Sequence, residues 1–96
     1  MVTLSDIQQR RAEILRIAGQ HGADNVRVFG SVAKGTAGPN SDVDILVRFS
    51  ERCSLIDHIA LMQDLEQMLN VKVDVVEESA LHPLIRDKVL NEVVPL

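Results

Sequence analysis

Gly30-Ser31-Val32-Ala33-Lys34-Gly35-Thr36-Ala37-Gly38-Pro39-Asn40-Ser41-Asp42-Val43-Asp44 is the stretch on which the reading of this chain turns. Ten residues part Ser31 from Asp42, and strand-like runs flank both ends. Glycine at 30 lets a phosphate approach the backbone. The Ser31 hydroxyl and the free N–H groups of a first helical turn can bind phosphate oxygens. Lys34 follows Ser31 by three residues and so projects on the same side of that turn. Asp42 and Asp44 stand two apart at a strand edge, which aims both carboxylates to one side. Two like charges that close repel unless a cation lies between them. A pair of oxygen donors suits Mg2+, which fills the rest of its shell with water and phosphate oxygens.

Working outward, Val26-Arg27-Val28-Phe29 alternates and ends at Gly30, so it reads as a short strand. Ser31 to Lys34 reads as one helical turn, with Ser31 as cap and Gly35 as stop. Gly38-Pro39-Asn40-Ser41 is a turn cluster. A second strand spans 43–49, with Val43, Ile45, Val47 and Phe49 on one face and Asp42, Asp44, Leu46 and Arg48 on the other. Before the first strand, residues 4–21 carry Leu4, Ile7, Ile14, Leu15 and Ala18 as one apolar helical stripe. After the second, 55–69 reads as a helix with Leu55, Ile59, Met62, Leu65 or Glu66, and Leu69 inward, closed by Asn70 in left-handed geometry. A third strand spans 71–76. A last helix starts at Ser79 or His82, with Pro83 in its first turn, and Pro95 closes it. The tail Val93-Val94-Pro95-Leu96 is free to pack on a partner or on its own sheet.

This order predicts an α/β (α+β) domain over 1–96: a small mixed sheet of about three strands with helices packed on it. Strands 43–49 and 71–76 are separated by a helical crossover and are expected to run parallel. Strand 26–29 has only a short link to 43–49 and is expected antiparallel.

Composition narrows the function classes. The chain has 96 residues, 46% hydrophobic and 25% charged, an ordinary globular balance. Its formal net charge of −4 argues against bulk nucleic-acid binding. Phe29 and Phe49 are its only aromatics, too few for a base-stacking platform. Residues 1–40 hold five cations against three acids, and 41–96 hold five against eleven, so the basic share lies near the phosphate turn. No apolar run approaches the roughly 18 residues of a membrane span, and no signal peptide is visible at the start. The lone Cys53 fits a reducing cytoplasm.

Asp74 stands inside the third strand, where an apolar residue is the default. Beside strand 43–49 it would reach the Asp42 and Asp44 side, and three carboxylates on adjacent strands can hold two cations about 3.5–4 Å apart. It shares parity with Lys72 and Val76, which leaves a solvent-facing position as the alternative. His21 reads as a helix-end residue, His58 as helix surface, Cys53, Met62 and Met68 as packing, and Lys72 as a solvated strand residue next to the candidate site.

Taken together, Gly-Ser, a ten-residue gap, Asp-x-Asp and a later strand Asp resemble the nucleotidyltransferase superfamily that includes the palm of DNA polymerase beta. Val28 to Gly35 followed by Asn40 to Val47 is similar to the minimal nucleotidyltransferases. The resemblance implies the nucleotidyltransferase fold, with Gly30 and Ser31 holding the triphosphate, and Asp42 and Asp44 as metal ligands. It implies that Asp74 is the third carboxylate, which helps bind the catalytic metal and deprotonate the attacking hydroxyl. Lys34 stands where the family often has Arg, which keeps the cation but loses the bidentate grip. The implied cofactor is Mg2+, two ions, with ATP as substrate. The implied setting is a toxin–antitoxin pair: an antitoxin that adenylylates a Tyr of a HEPN-domain ribonuclease toxin and assembles with it. A non-catalytic antitoxin and an enzyme acting on a small-molecule acceptor remain the alternatives.

Overall fold

The computed structural model describes residues 2–96. In order it runs α1 (Leu4–Gln9), α2 (Arg11–Gln20), β1 (Ala23–Phe29), α3 (Gly30–Lys34), β2 (Val43–Phe49), α4 (Leu55–Leu69) and β3 (Val73–Glu77). A single 3-10 turn (Glu78–Ala80), α5 (Pro83–Glu92) and β4 (Val94–Pro95) complete it. The sheet order is β3-β2-β1-β4. β1 pairs with β2 antiparallel, β2 with β3 parallel through the α4 crossover, and β4 with β1 antiparallel.

One sheet face carries the main core. Val26, Val28, Val43, Ile45, Val47, Val73 and Val75 meet Ile7 and Ile14 of the first two helices and Leu61, Leu65 and Leu69 of α4. The alternation read for β2 therefore holds, although Leu46 on the opposite face is also fully buried. That face lies partly under the turn at 78–80, which Arg27 ties down through an ion pair to Glu78 at 3.4 Å. No helix among the described residues is long and apolar enough to cross a membrane.

Five expectations need correction, and the simplest is that the third strand runs Val73–Glu77 rather than over 71–76. The sheet has four strands rather than three, because the C-terminal tail pairs with β1 and Leu96 N–H donates to Val26 O at 2.9 Å. Pro95 is tolerated there because β4 is an edge strand. The first helix is two, broken at Arg10 (φ −103°, ψ 18°), whose guanidinium reaches across to Met68 O at 2.7 Å. The apolar stripe was already interrupted there, since Arg10 and Arg11 fill the steps between Ile7 and Ile14.

β1 begins earlier than read, with a register irregularity between Asp24 and Arg27 that Asn25 absorbs at φ 50°. Finally, α4 has the expected bounds but is rotated. Leu61, Leu65 and Leu69 face the core, while Leu55 and Ile59 are exposed. Its ends match their residue types. Ser54 and Asp57 form a capping box, and Asn70 takes the left-handed conformation at φ 54°.

Candidate active site

The candidate residues converge at one end of the face opposite the main core. β1 ends there in Phe29, and the chain turns at once into α3. Gly30 adopts φ 72°, a left-handed conformation that disfavours any side chain. It is also packed directly against Asp44, so that a Cβ at position 30 would overlap Asp44 Oδ2. Glycine is thus required here for a reason beyond phosphate access. Phe29 rather than Ser31 occupies the cap position, and Ser31 lies in the first turn, where its N–H has no intrahelical partner. Gly35 closes the helix at φ 74°, as expected of a C-terminal glycine.

Register places the acids. Phe29 is paired with Asp44, and Asp44 with Asp74, in neighbouring rows of the sheet. Parallel partners share a face, so Asp74 lies on the Asp44 side and the ambiguity of its parity is resolved. Asp42 precedes β2 by one residue on the same side. Asp44 is half-buried, while Asp42 and Asp74 are exposed.

Burial, followed by the charges of Asp74 and then Asp42, pushes the Asp44 carboxyl above its ordinary value. Among the described residues none of the three forms an ion pair. Nor do three His, Cys, Asp or Glu side chains converge there as a ready-made metal cluster. Like-charged carboxylates on one sheet face repel one another, Asp74 and Asp42 both acting on Asp44. The same set of hard oxygen donors fits a divalent cation, which would remove that repulsion.

Lys34 projects from α3 but is held by Glu92 at the end of α5, Nζ to Oε2 at 3.2 Å. The sequence carried no local signal for this contact, because it depends on where α5 and β4 return. Arg27 was likewise missed as a buried charge; a cation inside an alternating strand was the available clue. His21 caps α2 and places Nε2 2.6 Å from Asp64 Oδ2. His58, read as surface, is part-buried: it hydrogen-bonds to Val75 O and lies 5.2 Å from the Phe49 ring. His82 caps α5, accepting from Leu84 N–H at 3.1 Å, which decides the helix start against Ser79. Cys53 is half-buried against the carbonyls of His21 and Gly22. Met62 and Met68 pack on the core.

A phosphate-approachable turn wedged against paired strand carboxylates defines a class, and comparison with known proteins agrees. The family model for the nucleotidyltransferase domain matches residues 11–96, and the chain belongs to that family. It is 41% identical over 95 residues to the protein adenylyltransferase MntA of Thermococcus cleftensis, covering 98% of this chain and 96% of that one. A solved candidate minimal nucleotidyltransferase superposes with a TM-score of 0.88 at 46% identity, over 99% of this chain and 97% of that one. A Shewanella oneidensis MNT antitoxin solved in complex with its tri-AMPylated HEPN toxin gives a TM-score of 0.69 at 20% identity. That match covers 92% of this chain and 69% of the other, and the likeness is one of fold.

Proposed function

We propose that this chain is a protein adenylyltransferase of the cytoplasm. It transfers AMP from ATP to a hydroxyl, a Tyr in our reading, of a HEPN-type ribonuclease toxin that it binds as an antitoxin. The observation that carries the reading is the seating of Asp44 against Gly30 with Asp74 beside it in register. The 41% identity to an adenylyltransferase supports the choice of nucleotide.

In this reading Gly30, Ser31 and the first turn of α3 receive the triphosphate, and Lys34 exchanges Glu92 for phosphate oxygens. Asp42, Asp44 and Asp74 would hold Mg2+. When bound, that ion supplies neutralisation of phosphate charge and acidifies the acceptor hydroxyl. The acceptor oxygen bonds to the α-phosphorus in line. The bond from that phosphorus to the pyrophosphate oxygen breaks, pyrophosphate leaves with the electron pair, and Asp74 takes up the hydroxyl proton and passes it to water. The chain's own task is to orient phosphate and acceptor across the β1 and β3 sides of β2.

Incubation with Mg2+, α-labelled ATP and the partner should label the partner. Label that persists after Asp42→Asn combined with Asp44→Asn would remove these residues from the mechanism. Full neutralisation of the toxin by the same variant would assign the antitoxin role to contact rather than chemistry.

A further inference from the structure

β3 is the last strand on one side of the sheet, and among the described residues only β2 pairs with it. The ladder tells which of its backbone groups face outward. Val43 is paired with Val73, and Val43 N–H donates to Lys72 O at 2.9 Å. In a parallel ladder the residues on either side of the paired one make the bonds. Residues 72, 74 and 76 therefore bond to β2, and Val73, Val75 and Glu77 turn their N–H and C=O groups to the open side. The strand is valine-rich, with high strand propensity. An edge of this kind with free backbone groups is a template for strand addition.

Two of the outward groups are already taken, both by α4. Glu66 Oε2 accepts from Val73 N–H at 3.2 Å. His58 Nε2 bonds to Val75 O, and since a carbonyl only accepts, that nitrogen carries the proton. His58 and Glu66 stand two four-residue steps apart with Met62 midway, so the three form one row on the helix surface. The row follows the strand in the opposite sense, 58 against 75 and 66 against 73. All three side chains are half-buried. The Phe49 ring, 5.2 Å from the imidazole, braces His58. An added strand would bond to the N–H and C=O of both Val73 and Val75. Glu66 holds the donor of the first and His58 the acceptor of the second. Side chains within hydrogen-bond reach of outward groups stand where a strand spaced about 4.8 Å away would lie.

We propose that the His58–Met62–Glu66 row of α4 closes the β3 edge against pairing with a second copy of this chain, and that loss of its two polar caps turns the edge into a dimer interface. A two-fold axis would set β3 antiparallel to β3, each edge offering the other the same donors and acceptors. The two sheets would then become one.

The test uses the full chain. His58→Phe combined with Glu66→Met removes both hydrogen-bonding groups while keeping side-chain bulk. At high protein concentration, light scattering should show the mass of this variant doubled relative to the wild type, and hydrogen exchange should show the Val75 amide newly protected. His58→Gln combined with Glu66→Gln keeps a donor and an acceptor and should retain the wild-type mass. A folded double variant of wild-type mass, or a doubling without new protection at Val75, overturns the proposal. So does a wild type already paired through β3 at the same concentration. Should the double variant fail to fold, Glu66→Met alone carries the test. At low concentration its Val73 amide should exchange about 5-fold faster than in the wild type, the loss of one net hydrogen bond. Unchanged exchange there overturns the proposal.

Discussion

Gly30→Ala tests the contact on which the site is built, and Gly35→Ala is its internal control. Both glycines are left-handed, at φ 72° and 74°. Alanine in that conformation costs about 1–2 kcal/mol, offset by roughly 0.4–1 kcal/mol from a less free unfolded chain. At Gly35 a Cβ meets nothing within 4 Å, so the backbone cost stands alone. A net loss of about 1 kcal/mol lowers Tm by about 4–8 °C in a domain of this size.

At Gly30 the same backbone cost applies, and the new Cβ also overlaps Asp44 Oδ2, with Asp44 Cγ at 3.1 Å and Cβ at 3.4 Å. The carboxylate must retreat by about an ångström to regain ordinary contact. Forcing its side chain off a rotamer adds about 0.5–1.5 kcal/mol. A reacting group misplaced by about that distance costs on the order of 100-fold in rate. Gly30→Ala should therefore melt lower than Gly35→Ala and lose about two orders of magnitude in AMP transfer, whereas Gly35→Ala keeps its activity. In an Asp44→Ala background the excess melting penalty should vanish, because the clashing oxygen is gone. Thermal unfolding of the four variants and initial rates with α-labelled ATP measure both effects. Equal penalties at the two glycines, or an excess that persists without the Asp44 carboxylate, would refute the reasoning.

Asp44→Asn should stabilise the metal-free protein at neutral pH while abolishing transfer. The folded-state pKa of Asp44 is raised above 3.8, so its stabilising contribution is present below that value and is lost as pH rises through the folded pKa. The gap between variant and wild type should accordingly open above pH 3.8 and close below it, as read by urea midpoints in chelator. Glu78→Ala should destabilise by about 1–3 kcal/mol, since it strands the buried Arg27 charge, whereas Arg27→Met should lie within about 1 kcal/mol of wild type in the same denaturation assay. Leu61→Ala should cost about 2–5 kcal/mol and Ile59→Ala less than about 1, which checks the rotation of α4 by chemical denaturation.

Periodicity of 2.0 against 3.6, and the glycines, asparagine and prolines that end each run, were enough to read α4 to the residue and to place strand β2 and the order of the elements. They failed where a distant contact outweighed a local rule. Arg10 leaves the helix to reach Met68 O, and α4 turns Leu61 inward in preference to Ile59 because the sheet and α2 present their apolar surface there. Tail residues 94 and 95 carry no strand signal of their own and become one only because β1 offers an unpaired edge.

For the site, the sequence by itself determined the chemical inventory: a Gly-Ser turn, a cation, and three acids of strand parity. Such information is local, since turn geometry and alternation depend on neighbouring residues. Tertiary structure decided the rest. Only the parallel register of β2 and β3 puts Asp74 beside Asp44, and only the packing of α3 shows that Gly30 exists to make room for a carboxylate as much as for a phosphate. Lys34 meets Glu92 for the same reason: long-range closure of the chain, rather than spacing along it, sets which charges come within reach of one another.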